Sequence, residues 1–216
     1  QWILPAKEQW KIITAIGFLS TFLYQAFFMY GMKWTAAGDA SLMITFNPVF
    51  TAILAVPFLG EKFDFRLGAG LLSAVCGVIV IAWYSPNVDL PVNERLLGDA
   101  LIGMAALSWA CTTILMKKAM TGENPMSPLH ITVWSSVVGL LIQTPAVIWE
   151  YTQVGFPTDA ALEGWAWLAF LAIFSTVLSY VWFADGIRII GAGRSAMYVY
   201  LVPIFGILSG WLLLEE

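Results

Sequence analysis

The chain has 216 residues, of which 60% are hydrophobic and 11% charged, and its net charge at neutral pH is -4. Its mean hydropathy is +0.80, whereas about a quarter of the residues of an ordinary soluble domain are charged. This composition excludes a soluble globular domain and indicates a protein that lies in a membrane.

Long apolar runs follow one another along the chain, and the charged residues fall between them. Each run is close to the roughly 17 to 25 residues that a helix needs to cross a hydrocarbon core of about 30 Å. We therefore predict an all-α polytopic membrane protein. Its seven transmembrane helices are predicted at 11-32, 36-59, 67-84, 97-116, 129-149, 164-187 and 193-214.

The reactive side chains predict neither a metal nor a cofactor. Cys76 and Cys111 fall inside predicted spans, where a small packing residue is more common than a disulfide or a metal ligand. His130 opens the fifth span without Cys, Asp or Glu at ligand spacing, so an interfacial histidine is favoured over a metal ligand. No nucleic-acid footprint is visible.

The lysines and arginines are divided unevenly between the two sides that the spans create. One side has eight of the ten, and the other has only Lys33 and Arg95. The positive-inside rule makes the richer side cytoplasmic, so the first span runs outward and the seventh ends outside. The eight are Lys7, Lys11, Lys62, Arg66, Lys117, Lys118, Arg188 and Arg194.

An internal repeat emerges when the chain is shifted by 155 residues, which lays residues 20-61 over 175-216 without a gap. Apolar matches arise easily by chance, but a Ser-Thr pair, an Ala-Gly pair, a Pro and a Glu in one register do not. The matches are Ser20/Ser175, Thr21/Thr176, Leu23/Leu178, Phe28/Phe183, Gly31/Gly186, Ala37/Ala192, Gly38/Gly193, Pro48/Pro203, Phe50/Phe205, Leu59/Leu214 and Glu61/Glu216.

The repeat pairs spans one and two with spans six and seven. Because a displacement of five helices is odd, the two copies are predicted to cross the membrane in opposite directions. Secondary transporters commonly have such inverted repeats, and one half rocks against the other around a central site. The sequence therefore predicts alternating access.

Pro48 and Pro203 lie near the middle of the second and seventh spans and are candidate hinges. A proline frees a carbonyl and kinks its helix. Lipid tolerates this where neighbours or a water-filled cavity satisfy the freed group. A packing kink and a hinge that lines a central cavity both stay open, because duplication would copy either.

One polar and aromatic face recurs in the first and sixth spans at helical spacing. Hydroxyls, an amide and rings at mid-depth suit a cavity for a small polar or aromatic solute, although interhelical hydrogen bonding is the alternative role. The face comprises Thr21, Tyr24, Gln25 and Phe28, then Thr176, Ser179 and Tyr180, of which Thr21, Gln25, Thr176 and Tyr180 are the favoured contacts. Further candidates, which packing would also explain, are Thr45, Trp109, Thr112, Tyr198 and Tyr200.

The third span has a different pattern. Gly70/Ala74 and Ser73/Gly77 lie at small-xxx-small spacing, which lets helix backbones approach closely. We expect this span to be structural or to form a homodimer.

No Asp, Glu, Lys or Arg lies near the middle of a predicted span. Such charges normally mark ion relays, because burying one costs roughly 2.5 to 3.5 kcal/mol or more. Coupling is therefore absent or uses helices that this chain lacks. A seven-helix receptor or retinal protein matches the span count. A retinal Schiff base, however, needs a lysine within the bundle, and every lysine here lies at the end of a predicted span.

A membrane enzyme would need a base beside its nucleophile. With one interfacial histidine and no acid at the middle of a span, the sequence offers none.

The segments ASLMITFNPVFTAILAVPFLGEK and SAMYVYLVPIFGILSGWLLLEE, together with ALSWA, resemble the drug/metabolite transporter superfamily with its EamA-type domain. The resemblance covers nearly the whole chain and implies ten helices in two inverted five-helix halves, of which helices three to nine are present. It implies the end of a first repeat at 1-85, an exterior linker at 86-96, and a second repeat without its last helix at 97-216.

The resemblance also implies a function. Similar proteins export or exchange amino acids, other metabolites or toxic compounds, commonly across the prokaryotic inner membrane. Glu61 and Glu216 match the family's terminal Glu, as gates or as helix-end anchors. The expected partners are the lipid bilayer, a small-molecule substrate and a second copy of the chain.

Overall fold

The computed structural model of the chain describes residues 4–35, 40, 43–62, 64–84, 92–122, 124–155 and 162–201. Within these residues the chain forms helices and connecting turns, without a β-strand. The protein is therefore an all-helical polytopic membrane protein, as its apolar runs predict.

Four helical runs are long and apolar enough to cross a membrane, at Gln9–Gly31, Leu96–Thr121, Pro128–Val154 and Gly164–Ile190. They coincide with the first, fourth, fifth and sixth predicted spans. Two shorter apolar helices lie in the second and third predicted spans. The count of seven stays a prediction, because the seventh span is described only as far as Leu201.

We number the α-helices in chain order. They are α1 (Gln9–Gly17), α2 (Tyr24–Gly31), α3 (Asn47–Leu59), α4 (Phe65–Tyr84), α5 (Val92–Thr121), α6 (Pro128–Val154), α7 (Leu162–Phe170), α8 (Ser179–Ile190) and α9 (Ala192–Met197), and a 3₁₀ turn follows at Tyr198–Leu201.

Two of the long runs contain a π-helical segment in place of regular α-helix. Phe18–Leu23 joins α1 to α2, and Leu171–Leu178 joins α7 to α8. The 155-residue shift places Leu23 on Leu178, so the two segments end at matched positions. Such segments are rare and occur often at functional sites.

The second predicted span is interrupted at its proline. A turn at Thr45 and Phe46 precedes α3, which begins at Asn47 with Pro48 in its first turn. Proline fits there because the N–H that it lacks would have no intrahelical partner. Pro48 therefore starts a helix, which corrects the predicted mid-span kink, and its hinge role stays a prediction. Pro203 lies outside the described residues.

Helix α5 lies at the centre of the described bundle, where it packs against α1, α2, α3 and α8. Its buried side chains include Ala105, Ala106 and Ala110, which have no exposed surface. Small side chains let several helices approach one axis, because packing in lipid depends on close contact. Helices from both predicted repeats thus meet on α5.

Helix α1 and the π segment after it pack against α6 through glycine. A Cβ on Gly17 would lie 2.5 Å from the carbonyl oxygen of Ser135, and one on Gly139 would overlap Thr21. In α4, a Cβ on Gly70 would lie 2.6 Å from Cε of Met197, whereas Gly77 has open space beside it. Gly70 therefore packs against Met197 of the same chain and not against a second copy. A homodimer formed through α4 stays a prediction.

Helix ends and connecting loops collect at one end of the bundle, which we call the basic end. Gln9 donates from Nε2 to the carbonyl of Asn124 at 3.2 Å, and the rings of Trp10 and Trp134 meet edge-on at 5.5 Å. At the other end, the Thr35 hydroxyl donates to Asp99. The basic end carries Lys11, Lys62, Arg66, Lys117, Lys118, Arg188 and Arg194.

Candidate functional site

A cavity of about 920 Å³ lies among α2, α3, α5, α8 and α9. We call it the aromatic cavity, because aromatic rings supply much of its wall. Its described lining residues are Tyr24, Ile44, Asn47, Trp109, Ser179, Tyr180, Trp182, Phe183, Gly186, Ile190, Ser195, Tyr198, Val199 and Leu201. Its size and mostly apolar wall are typical of a small-molecule site.

Trp109 on α5 organises the rings of this cavity. Its ring centroid lies 5.5 Å from that of Tyr24 on α2, 5.2 Å from Tyr180 and 6.1 Å from Phe183, both on α8. Tilted and edge-on pairs at these distances are favourable for aromatic rings. Three separate parts of the chain are thereby joined at one ring cluster.

Two buried polar side chains also line the cavity. Asn47 is 4% exposed, and its Oδ1 accepts a hydrogen bond from the Thr51 hydroxyl at 3.1 Å. Ser195 is 3% exposed, and its hydroxyl has no hydrogen-bond partner among the described residues. Buried polar groups are nearly always paired, so the cavity wall contains a hydroxyl that a bound solute could satisfy.

The structure brings five of the residues predicted for the site together on this wall: Tyr24, Trp109, Ser179, Tyr180 and Tyr198. A sixth, Phe28, stacks on Tyr24 with ring centroids 6.0 Å apart. The predicted face thus contributes its aromatic members to the cavity.

Three favoured contacts lie elsewhere. Thr21 packs on Gly139 of α6, Gln25 is exposed, and Thr176 is exposed and donates to the carbonyl of Leu171 at 3.2 Å. None of the three lines the aromatic cavity. Of the favoured contacts, only Tyr180 lies on its wall.

The remaining candidates are close to the cavity without lining it. Thr45 is buried, and Tyr200 is half-buried with a hydroxyl that lacks a partner among the described residues. Thr112 is buried and donates to the carbonyl of Ser108 at 3.1 Å. It lines a small pocket of about 20 Å³ beside Trp109, which has room for about one water molecule.

Asn47 and Ser195 were missed by reasoning from sequence. Asn47 does have a visible signal, because Asn directly before Pro inside an apolar run marks a break in the helix. Ser195 has none, since a serine two residues after an Ala-Gly pair is equally consistent with helix packing.

An elbow at Gly191 joins α8 to α9 at the basic end. Glu61, just after α3, accepts hydrogen bonds there from two backbone N–H groups, with Oε1 2.8 Å from the nitrogen of Ala192 and Oε2 3.3 Å from that of Gly193. A carboxylate at a helix start is stabilised by the helix dipole and by charge-assisted hydrogen bonds. Glu61 thus ties α3 to α9. Glu216 lies outside the described residues.

Lys117 binds the opposite side of the same elbow. Its Nζ donates to the carbonyl oxygens of Ile187 at 2.9 Å and Arg188 at 3.1 Å, at the end of α8. A cation at a helix C-terminus complements the negative end of the dipole. The elbow is therefore held from both sides by opposite charges, one just after α3 and one on α5.

A second cavity, of about 720 Å³, lies beside the elbow and has charged walls; we call it the charged vestibule. Ile190 lines both the vestibule and the aromatic cavity. The charged residues of the vestibule are Glu61, Lys62, Asp64, Arg66, Lys117 and Arg194.

The helical fold and the apolar spans define an integral membrane protein, and its described helices surround a cavity lined largely by aromatic rings. The family model of the EamA-like transporter family matches residues 1–83 and 96–216. The chain belongs to the EamA-like transporter family, as its paired Pro and Glu segments imply.

Curated relatives agree with this class. The chain is 26% identical over 210 residues to "Uncharacterized transporter YetK" of Bacillus subtilis, covering 97% of this chain and 62% of the relative. It is 27% identical over 218 residues to a "Probable amino-acid metabolite efflux pump" of Escherichia coli, covering 97% and 71%. The chain thus spans about three fifths of the length of YetK, and these findings do not favour the receptor alternative.

Proposed function

We propose that the protein is a secondary transporter that moves a small metabolite, such as an amino acid, by alternating access, with the aromatic cavity as its substrate site. The observation that carries the proposal is the break before Asn47, which opens onto this cavity. Transporter sites typically form where spanning helices are interrupted, because backbone polar groups are free there to bind solute or ions.

Both predicted repeats contribute to the cavity, which supports alternating access. Tyr24 and Asn47 come from the first repeat, and Tyr180 and Ser195 come from the second. A rotation of one repeat against the other would change the distance between these pairs. Substrate affinity would then depend on the conformation, as alternating access requires.

The directions of the two matched runs also support the proposal. The run from α1 to α2 begins at the basic end, whereas the run from α7 to α8 ends there. Each contains a π segment, and the two segments end at matched residues. An inverted duplication accounts for both features. We further propose that the membrane is a prokaryotic inner membrane with the basic end in the cytoplasm, as the positive-inside rule predicts.

The chemistry of the described cavity wall favours a particular kind of substrate. Rings offer apolar and stacking surface, and Asn47 and Ser195 offer neutral hydrogen-bonding groups. The described wall contains no Asp, Glu, Lys, Arg or His. A solute with an apolar body and a zwitterionic or neutral polar end fits this wall better than one with a large net charge.

Uptake of labelled amino acids and related metabolites into proteoliposomes tests the proposal. We expect saturable uptake that falls at least about tenfold in Tyr180→Ala, because a ring contact and its apolar area are lost. Trp167→Ala on the exposed face of α7 is the matched control, and Gln25→Ala should also leave uptake unchanged. Absence of uptake of every panel member by folded wild-type protein would refute the proposed function.

A further inference from the structure

We propose that the elbow at Gly191, clamped by Glu61 and Lys117, is the gate between the charged vestibule and the aromatic cavity. The proposal rests on the transport function proposed above. Glu61 and Lys117 are positioning residues in it: they bind the backbone of the helices that carry the cavity wall and need not contact the solute.

Glu61 controls the α9 side of the elbow. Its carboxylate binds the first two N–H groups of α9, and α9 carries Ser195 of the cavity wall, with Tyr198 directly after it. Glu61 itself follows α3, which begins with Asn47 on the same wall. While this contact holds, α3 and α9, which both contribute to the cavity wall, are fixed to each other.

Lys117 controls the α8 side. Its ammonium group binds the last carbonyls of α8, and α8 carries Tyr180 and Phe183 against Trp109. Lys117 and Trp109 both lie on α5. The clamp therefore sets the position of α8 along α5 and, with it, the closeness of the ring cluster.

Gly191 makes the elbow tight enough for both contacts. Its φ is +93°, a conformation that favours glycine. A Cβ at this position would lie 2.9 Å from Oε1 of Glu61. A side chain at residue 191 would therefore crowd the carboxylate in its present position on α9.

The two cavities meet at the elbow. Ile190 lines both of them and directly precedes Gly191, so the elbow lies at the boundary that a solute would cross in passing from one to the other. The vestibule also holds Arg66 and Arg194, which offer Glu61 alternative ion pairs once it leaves α9. A charge with two sets of partners can serve a two-state element.

Thiol labelling tests the gate without relying on transport. The reporter is Ser195→Cys in a background with Cys76→Ala and Cys111→Ala, treated with a membrane-impermeant maleimide in inside-out vesicles. We expect Glu61→Gln and Lys117→Met to raise the labelling rate about tenfold, since each removes charge-assisted hydrogen bonds that close the elbow. Lys117→Arg, which keeps the donors, should restore slow labelling.

Two exposed residues at the basic end, outside the elbow, provide matched controls. Glu8→Gln and Lys118→Met make the same chemical changes on exposed side chains outside the elbow, and both should label as slowly as the parent. In uptake assays per mole of folded protein, the clamp variants should change kcat, because the clamp sets how readily the elbow opens, and KM should change with it, because substrate affinity depends on the conformation. A general folding defect would lower the yield of folded protein and leave kcat per mole of folded protein unchanged.

The outcomes separate the gate from the transport function. Folded Glu61→Gln and Lys117→Met that label no faster than Glu8→Gln and Lys118→Met would overturn the gate, even if the wild type transports. Faster labelling in the clamp variants alone would support a gate on access to the cavity. If the wild type then transported no solute, the proposed function would fail and the gate would remain.

Discussion

Trp109 has three rings, from two other helices, within 5.2 to 6.1 Å of its own ring centroid. We expect Trp109→Ala to lower kcat/KM for uptake at least about tenfold, because the ring cluster loses its centre. It should also lower the free energy of unfolding, by about 1 to 3 kcal/mol, because the ring is only half-buried. Trp109→Phe should recover much of the stability and part of the transport. Chemical unfolding in detergent and uptake by the same preparations would show this, and Trp109→Ala with wild-type kcat/KM would contradict the substrate site.

Ser195 shows the reverse relation between stability and function. Its buried hydroxyl lacks a partner among the described residues, so Ser195→Ala should keep or raise the free energy of unfolding, by up to about 1 kcal/mol. If the solute normally satisfies this hydroxyl, KM should rise. Ser20→Ala is the contrast, because the Ser20 hydroxyl donates to the carbonyl of Ile16 at 2.8 Å. An unchanged KM in Ser195→Ala would exclude the hydroxyl as a substrate contact.

At the scale of helices, the π segments explain why the site could be predicted only in part. The predicted face assumed an unbroken α-helix. A turn of π-helix holds about one residue more than a turn of α-helix, which rotates the next turn of the helix by roughly 100°. Thr21, inside the first segment, therefore faces α6, while Tyr24, just after it, faces the cavity. The periodicity of apolar residues predicted the long runs well, because it does not depend on this local winding.

The contact between α1 and α6 gives a prediction about packing. A Cβ on Gly17 would meet backbone atoms, at 2.5 Å from the oxygen of Ser135 and 3.0 Å from the nitrogen of Gly139. Gly17→Ala should therefore lower the free energy of unfolding by about 1 to 3 kcal/mol. Gly164→Ala in α7, where no atom lies within 4 Å, should raise it by about 0.5 to 1 kcal/mol. Equal effects of the two changes would contradict the close approach of α1 and α6.

At the scale of the whole molecule, the distribution of charge was the most informative sequence signal. The basic residues assigned to one side are at helix ends that meet at the basic end, because chain topology alone fixes which helix ends are neighbours; that this end faces the cytoplasm stays a prediction. The elbow clamp was not predictable in the same way. Glu61 and Ala192 are separated by 131 residues in the chain, and only the packing of α3 against α9 brings them together.

The 155-residue register extends this clamp to a prediction about the second copy. It pairs Glu216 with Glu61, and Ala37 and Gly38 with Ala192 and Gly193; of these, Glu216, Ala37 and Gly38 lie outside the described residues. If the repeats are functionally equivalent and inverted, Glu216→Gln should speed labelling of Ser195→Cys from the opposite side, in right-side-out vesicles. Glu215→Gln is the adjacent control, and indistinguishable labelling in these two variants would argue against equivalence.

Helix α5 has 30 residues, a length of about 45 Å at 1.5 Å per residue. The hydrocarbon core of a bilayer is only about 30 Å thick, so α5 extends well into the headgroup layer or beyond it. Lys117, close to its C-terminal end, then lies where water and ions reach it. The attraction between this ammonium group and the end of α8 is therefore partly screened by dissolved ions, and under the proposed transport function the uptake rate should depend on ionic strength.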